Sequence, residues 1–278
     1  MQTLLLGCGD LGNRVGQLLI EDGQSLLGAR RTLSSLADGI QPLAWTLPEA
    51  APPLPELDYV IYTLAADDFT PEAYRLAYLD GVEAMIDSLK RQKVSPRRVF
   101  FISSTGVYGQ TEGEWVNEDS VTQPKSFSGQ YLLQGEEAIL QSPWPATVLR
   151  FSGIYGPGRE RLLNQVRAGQ FPASEPIRYS NRIHIDDGAR VLRHLIRRDQ
   201  AGDKLDNCYL VSDYEPAPLQ EVTAWLAHQL GLRVQPGTSV PERGGNKRIS
   251  SQRLKDTGFN FLYPSYREGY ATLLRGAA

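Results

Sequence analysis

The chain has 278 residues, 41% hydrophobic and 22% charged, so it can bury a full core in one large domain or slightly more. A net charge of -3 without a basic run argues against nucleic acid as the main partner. It has only two cysteines, no secretory signal pattern and no apolar stretch near the ~18 residues of a membrane span, so we expect a cytoplasmic protein without membrane contact.

A glycine-rich motif follows the first predicted strand, residues 3–6, and precedes a helix predicted to end near Glu21. The motif is Gly7-Cys8-Gly9-Asp10-Leu11-Gly12, which has the Gly-x-Gly-x-x-Gly spacing of dinucleotide-binding loops. The first glycine permits a tight turn, the second lets backbone approach a pyrophosphate, and the third allows close helix packing. We therefore predict that residues 7–12 bind the phosphates of a dinucleotide, with Cys8 as a small residue filling a crowded loop.

Two arginines, Arg30 and Arg31, follow the second predicted strand at residues 25–29. NAD-binding chains place an acidic residue about here, where it binds the ribose 2′-hydroxyl. Guanidinium groups suit a 2′-phosphate instead. The pair favours NADP as the cofactor, with NAD as the alternative.

Strand and helix patterns alternate through the first half, which predicts an α/β fold with a doubly wound parallel sheet of the Rossmann type. The other predicted strands are about 42–46, 58–64, 98–103, 146–151 and 207–211, and helices are predicted at 71–93, about 130–141 and about 219–230. Beyond about residue 155, glycine and proline accumulate and predict a small C-terminal substrate lobe. We expect the Rossmann domain at 1–155 plus about 183–212, and the lobe at about 156–182 and 213–278.

Four further segments resemble extended short-chain dehydrogenase/reductases, the group that includes sugar-nucleotide epimerases and dehydratases. These segments are Leu64-Ala65-Ala66 after the fourth strand, residues 103–109 after the fifth, residues 149–158, and residues 182–187. The ending, residues 247–269, is similar to that of a small atypical branch of NAD(P)-dependent epimerase/dehydratase proteins. The resemblance spans nearly the whole chain and implies that residues 64–66 contribute to the cofactor site.

The resemblance also implies a catalytic Ser or Thr, a Tyr, and a Lys one helical turn after the tyrosine. Ser104 takes the serine place and Tyr131 is the tyrosine candidate, but Gly135 stands where the lysine belongs. Aligning the family's downstream glutamate with Glu137 instead puts Gly129 and Leu133 in the two places, so neither register has a lysine. The assistant asparagine is also missing, with Tyr78 or Asp80 nearest to its place.

The missing lysine bears on catalysis, because its ammonium helps to lower the pKa of the family's tyrosine. If Tyr131 is the acid/base, we expect slow turnover at neutral pH, and a gain in rate from Gly135→Lys. Lys125 is an alternative source of the ammonium, and an aromatic packing on a half-buried helix is the alternative reading of Tyr131.

Four arginines are predicted to line the mouth of the second lobe and to clamp a diphosphate or carboxylate substrate: Arg150, Arg159, Arg161 and Arg182. A solvated polar rim is the alternative interpretation. The three histidines lack metal-ligand spacing, so we expect no metal site. The resemblance gives His184 and Asp186 or Asp187 a structural role, holding the return of the chain to the cofactor domain.

The sequence therefore predicts an NAD(P)-dependent oxidoreductase, epimerase or dehydratase with an impaired Ser-Tyr-Lys site. Its expected partner is a small or nucleotide-linked carbonyl or alcohol substrate, and a homodimer is left open. The alternative is an NADP-binding regulatory or scaffold protein without efficient hydride chemistry.

Overall fold

The computed structural model describes residues 1–30, 35–234, 237 and 245–275. Its strands are β1 (Gln2–Leu6), β2 (Ser25–Ala29), β3 (Ile40–Leu43), β4 (Tyr59–Tyr62), β5 (Arg98–Ser104), β6 (Glu114–Val116), β7 (Ala146–Phe151), β8 (Gly153–Tyr155), β9 (Tyr179–Ser180), β10 (Arg182–His184), β11 (Cys208–Val211), β12 (Ala217–Pro218) and β13 (Lys247–Ile249). Its α-helices are α1 (Asp10–Glu21), α2 (Pro71–Arg75), α3 (Gly81–Arg91), α4 (Phe127–Leu140), α5 (Arg161–Arg167), α6 (Ile185–Gln200), α7 (Leu219–Gln229), α8 (Gln252–Asp256) and α9 (Tyr266–Arg275).

A seven-stranded parallel sheet carries the fold, in the order β11-β7-β5-β4-β1-β2-β3. The predicted α/β fold class is confirmed, and each predicted strand is found. Several strands are continuous apolar runs because helices cover both faces of such a sheet, and all of β4 is buried. The third strand begins at Ile40, earlier than predicted, because its exposed edge position gives it a weak apolar pattern.

The chain divides into two compact units. Unit 1 comprises Met1–Val107, Thr122–Arg150 and Ala189–Tyr209, and unit 2 comprises Tyr108–Val121, Phe151–Gly188 and Leu210–Ala278. Thus the segment Tyr108–Val121, which we expected in the Rossmann domain, belongs to unit 2.

Each unit has its own apolar core. In unit 1 the buried core includes Leu4, Leu6, Val60, Val82, Met85, Leu89, Val99, Phe101, Ile139 and Val148. In unit 2 it includes Leu163, Val166, Phe171, Val222, Leu226, Tyr266 and Tyr270. Within the described ranges, no helix has both the length and the apolar composition that a membrane span needs.

A π-helical turn, Leu76–Asp80, interrupts the helix predicted at 71–93, and we call it the π-turn. The Tyr62 hydroxyl donates a hydrogen bond of 2.5 Å to the Ala77 carbonyl, while the amide of Gly81 bonds to the carbonyl of Leu76. A β-carbon on Gly81 would lie 2.6 Å from the Tyr62 oxygen, so glycine permits this approach. The hydrogen bond from Tyr62 and the absence of a side chain at Gly81 therefore together account for the π-turn, which is wider than an α-helical turn.

Candidate functional site

The glycine loop, residues 7–12, is packed so closely that two of its glycines cannot carry a side chain. Gly7 has φ +89°, and a β-carbon there would lie 2.6 Å from the Leu64 nitrogen. At Gly12 a β-carbon would lie 2.9 Å from the Gly7 carbonyl oxygen. The tight turn and the close approach of α1 to the loop thus depend on these glycines.

Gly9 differs because the space beside it is open. A β-carbon on Gly9 would meet only the Gly7 carbonyl oxygen, at 3.9 Å. Gly9 is also the N-cap of the 12-residue helix α1, and it brings no side chain to cap the first-turn amides. An open face beside a helix N-terminus fits the phosphates of a dinucleotide, which supports the role predicted for residues 7–12.

Thr63, which was not predicted from the sequence, holds this loop. Its side-chain hydroxyl donates to the Gly7 carbonyl at 2.7 Å, and its backbone N–H donates to the Leu6 carbonyl at 2.7 Å. The available signal was a hydroxyl residue at the end of an apolar strand, directly before Leu64-Ala65-Ala66. Thr63 therefore joins the turn after β4 to the glycine loop.

Cys8 is a packing residue. Its side chain is fully buried, and a β-carbon on Gly28 would lie 2.9 Å from its sulfur. Burial raises the pKa of the Cys8 thiol to about 12, although the charge of Arg30 acts in the opposite direction. The thiol therefore stays protonated and unreactive near neutral pH.

Arg30 lies beside the glycine loop and contacts its backbone. Its Nη1 donates to the Cys8 carbonyl at 3.0 Å and to the Ser35 carbonyl at 3.2 Å. The side-chain amide of Asn13, a residue not predicted from the sequence, donates to the Ser35 carbonyl at 3.0 Å and accepts from the Ala37 N–H at 3.1 Å. Arg31, the other candidate for a 2′-phosphate contact, lies outside the described residues.

A groove of about 400 Å³ runs along α1 next to Arg30. Its walls are formed by Asp10, Asn13, Arg14, Gln17, Ser35, Leu36 and Ala37. The groove adjoins the end of β2, where this fold class binds the adenosine ribose.

Ser104 ends β5, and its side-chain oxygen accepts the Gly106 N–H at 3.1 Å. The start of α4 packs on this turn, because a β-carbon on Gly129 would lie 2.6 Å from the Gly106 carbonyl oxygen. Tyr131 is half-buried on the same helix. The structure thus places the Ser104 turn against the helix that bears Tyr131, and a catalytic pairing of the two hydroxyls stays a prediction.

The place expected for the lysine is closed to any side chain. A β-carbon on Gly135 would lie 2.3 Å from the Tyr78 carbonyl oxygen and 3.1 Å from the Phe101 ring. The helix α4 therefore packs backbone to backbone against the π-turn. A lysine at residue 135 would displace the Tyr78 backbone, so this packing does not support the gain in rate expected from Gly135→Lys.

The buried glutamate of α4 is Glu136, not the Glu137 used for the alternative register. Its carboxylate accepts from Ser103 at 2.5 Å and from Arg150 at 2.6 Å, and all three side chains are buried. Anchored on Glu136, the register moves by one residue and places Ser128 and Leu132 in the tyrosine and lysine places. No register supplies the lysine.

The four arginines expected at a substrate mouth fall into two groups. Arg150 is buried in unit 1 against Glu136, which corrects its expected position at a substrate surface. Arg182 is also buried, in unit 2, where its guanidinium donates to the Ser180 carbonyl at 2.6 Å. Arg159 and Arg161 are exposed on unit 2, so their proposed role as substrate contacts remains a prediction.

Asp213 is the ion-pair partner of Arg182 within unit 2, at 3.6 Å. Both side chains are almost completely buried. Burial raises the pKa of Asp213 to about 7, against the opposing effect of the Arg182 charge. Nearby, Asp187 accepts the N–H groups of Leu262 and Tyr263, each at 2.8 Å, which is the kind of structural role that the resemblance implied for the 184–187 segment.

Comparisons with known proteins agree with this geometry. The chain is similar over 99% of its length to a solved protein of Methylobacillus flagellatus described as an NAD-dependent epimerase/dehydratase, with 33% identity, 98% of that chain covered and a TM-score of 0.81. It is also similar to the human epimerase family protein SDR39U1, solved with NADPH, at 18% identity over 99% of each chain and a TM-score of 0.80, a likeness of fold alone. No protein-family profile matches.

A curated relative is Protein YeeZ of Escherichia coli K12, which is 28% identical over 191 residues. The match covers 67% of this chain and 65% of YeeZ, so the chain spans just under two thirds of this relative's length.

A glycine loop at the carboxyl edge of a doubly wound parallel sheet defines a Rossmann-type α/β protein. With 33% identity across nearly the full length of the Methylobacillus protein, the chain belongs to the NAD-dependent epimerase/dehydratase family. This confirms the resemblance to atypical extended short-chain dehydrogenase/reductases.

Proposed function

We propose that the chain binds a nicotinamide dinucleotide and acts as an oxidoreductase, epimerase or dehydratase on a small or nucleotide-linked carbonyl or alcohol compound. The observation that carries the proposal is the open face of Gly9 between two glycines that admit no side chain. A bound nicotinamide would supply a hydride donor or acceptor. The loop's own contribution is to bind the phosphates through the first-turn amides of α1.

NADP is the cofactor we favour. Arg30 lies at the end of β2, and the groove of about 400 Å³ lies beside it. A guanidinium favours a phosphate over a hydroxyl at this place. The human protein SDR39U1, which shares the fold, was solved with NADPH.

A second candidate function is an NADP-binding regulatory protein without efficient hydride chemistry. Its support is Gly135, where the Tyr78 carbonyl excludes a lysine. Without a lysine at residue 135, no ammonium from that position helps a tyrosine on α4 to act as acid or base.

The binding proposal is tested with Gly9→Val, which fills the open face at a position where a β-carbon would have only the Gly7 carbonyl oxygen within 4 Å. We expect Gly9→Val to abolish binding of both NADPH and NADH in fluorescence titrations, with little change in thermal stability. Gly12→Ala is the comparison, because its β-carbon meets the Gly7 carbonyl oxygen at 2.9 Å and disturbs the loop itself. Unchanged affinities in a folded Gly9→Val variant would contradict the proposal.

Hydride exchange distinguishes the two candidate functions. Labelled NADPH is incubated with small carbonyl compounds and sugar nucleotides, across pH, with wild type and Tyr131→Phe. Exchange that disappears in Tyr131→Phe supports the enzyme with Tyr131 as its acid/base. Cofactor binding without exchange at any pH supports the regulatory protein.

A further inference from the structure

A second tyrosine hydroxyl lies at the edge of the sheet that carries the glycine loop. The backbone of Gly7 packs closely on Leu64 in the turn after β4, and the backbone N–H of Ala66 in the same turn lies beside the Tyr78 hydroxyl oxygen. The π-turn carries Tyr78, and the bond from Tyr62 to Ala77 holds that turn in place. Tyr78 is therefore tied to the glycine loop through one short segment.

The Tyr78 hydroxyl is suited to donate a hydrogen bond. Among the residues that the structure describes, no protein atom accepts its proton. Burial is the main cause that raises the pKa of Tyr78 to about 12, with a smaller contribution from Tyr74. The phenol thus stays protonated at physiological pH and can serve as a neutral donor.

The Tyr78 ring belongs to a cluster of aromatic rings in unit 1. The cluster consists of Phe69, Tyr74, Tyr78 and Phe127, with ring centroids 5.3 Å apart between Tyr74 and Tyr78 and 4.9 Å apart between Phe69 and Phe127. The Phe69 side chain is 62% exposed. Apolar walls with a few oriented polar groups are typical of small-ligand sites.

The sheet order indicates which half of a dinucleotide would reach Tyr78. Arg30 follows β2 and the Ala66 turn follows β4, and these strands flank β1 on opposite sides. The residue after β2 contacts the adenosine ribose in this fold class. The nicotinamide half therefore belongs on the β4 side.

We propose that the Tyr78 hydroxyl donates a hydrogen bond to the nicotinamide riboside half of the bound dinucleotide, with the aromatic cluster packing against that half. The inference rests on the proposed function, since it requires that the glycine loop bind a dinucleotide. It gives Tyr78 a ligand contact that is independent of Tyr131.

The test compares Tyr78→Phe with Tyr214→Phe, a variant that removes a hydroxyl from a tyrosine of unit 2 outside the proposed site. Affinities for NADPH and for 2′,5′-ADP, which lacks the nicotinamide riboside, are measured by calorimetry. We expect Tyr78→Phe to weaken NADPH binding ~3- to 10-fold and to leave 2′,5′-ADP binding unchanged, because one hydrogen bond to the riboside is lost. Tyr214→Phe should change neither affinity.

A second readout uses protein labelled with ¹³C at the tyrosine ring carbon that bears the hydroxyl. The Tyr78 resonance, identified by its loss in Tyr78→Phe, should shift with NADPH and not with 2′,5′-ADP. Equal NADPH affinities together with an unshifted resonance would overturn the inference. Equal weakening of NADPH and 2′,5′-ADP binding in Tyr78→Phe would also overturn the inference, because the hydroxyl would then affect binding only by stabilising the glycine loop. If the wild-type protein binds neither NADPH nor 2′,5′-ADP, the proposed function itself is contradicted.

Discussion

The carbonyl oxygen of Tyr78 occupies the space that a side chain at Gly135 would need, with only 2.3 Å left to a β-carbon. Two helical segments thus meet at their backbones in unit 1. This contact excludes a lysine at residue 135. It also holds the backbone of Tyr78, whose ring belongs to the aromatic cluster.

Gly135→Ala should destabilise the protein by ~1–3 kcal/mol, because overpacking outweighs the better helix propensity of alanine. Gly135→Lys should cost at least as much and should not raise activity. The control is Gln134→Ala, at an exposed position of the same helix, which should be nearly neutral. Urea denaturation gives the free energies of unfolding, and a Gly135→Ala variant as stable as wild type would disprove the close contact.

Glu136→Gln should destabilise the protein by ~3–5 kcal/mol, since it leaves the buried Arg150 guanidinium without its counter-charge. Glu137 is next in sequence and exposed, so Glu137→Gln should have little effect. The comparison, again by urea denaturation, also tests which glutamate anchors α4. Equal effects of the two substitutions would refute our assignment.

The contribution of Asp213 to the free energy of unfolding should fall as pH rises from about 4 to about 7. Burial raises the pKa of Asp213 from its ordinary 3.8 to about 7, so the folded state binds a proton in this range that the unfolded state has lost. Above about pH 7 both states are ionised at this residue, and its contribution becomes constant. Burial also raises the pKa of Glu118, which acts with the same sign.

Asp213→Asn isolates the contribution of this residue. The variant should show a flatter dependence of unfolding free energy on pH between 4.5 and 7 than wild type. A slope identical to that of wild type would show that Asp213 does not titrate in this window. Measurements above pH 4.5 avoid Asp22, whose pKa is lowered to about 2 by Arg193 and Arg197 despite partial burial.

NADPH should bind ~10- to 100-fold more tightly than NADH, since charged hydrogen bonds to a 2′-phosphate contribute about 1.5–3 kcal/mol. Arg30→Gln should reduce this preference and should also weaken both cofactors, because Arg30 bonds to the loop carbonyl of Cys8. Arg91→Gln, on α3, is the control. The ratio of NADPH to NADH affinity is measured at low and at high salt. A ratio near one in wild type would show that Arg30 does not bind the 2′-phosphate.

The sequence was sufficient for the sheet and the glycine loop, because both rest on local patterns. Continuous apolar runs predicted several of the sheet strands, although the edge strand β3 has a weaker pattern. The spacing of Gly7, Gly9 and Gly12 predicted the loop, in which Gly7 and Gly12 leave no room for a side chain. These features need only residues close together in the chain.

The rest depended on contacts between distant residues. Arg150 has the charge of a ligand-binding residue, and only the packing of α4 on β7 shows that Glu136 takes it. Likewise, the π-turn depends on a hydroxyl from Tyr62, on a separate strand, and periodicity within 71–93 contains no sign of it. Thr63 was overlooked because its partner is the Gly7 carbonyl, far away in sequence.

A π-helical turn holds one residue more than the α-helical turn it replaces, so the segment from α2 to α3 can be regarded as a regular helix with a single-residue insertion. A chain shortened by one residue between 76 and 80 could close an ordinary helix without moving α3 from the core. Relatives of this chain that lack the extra residue would then share its sheet and its glycine loop but would present a different residue to the turn after β4.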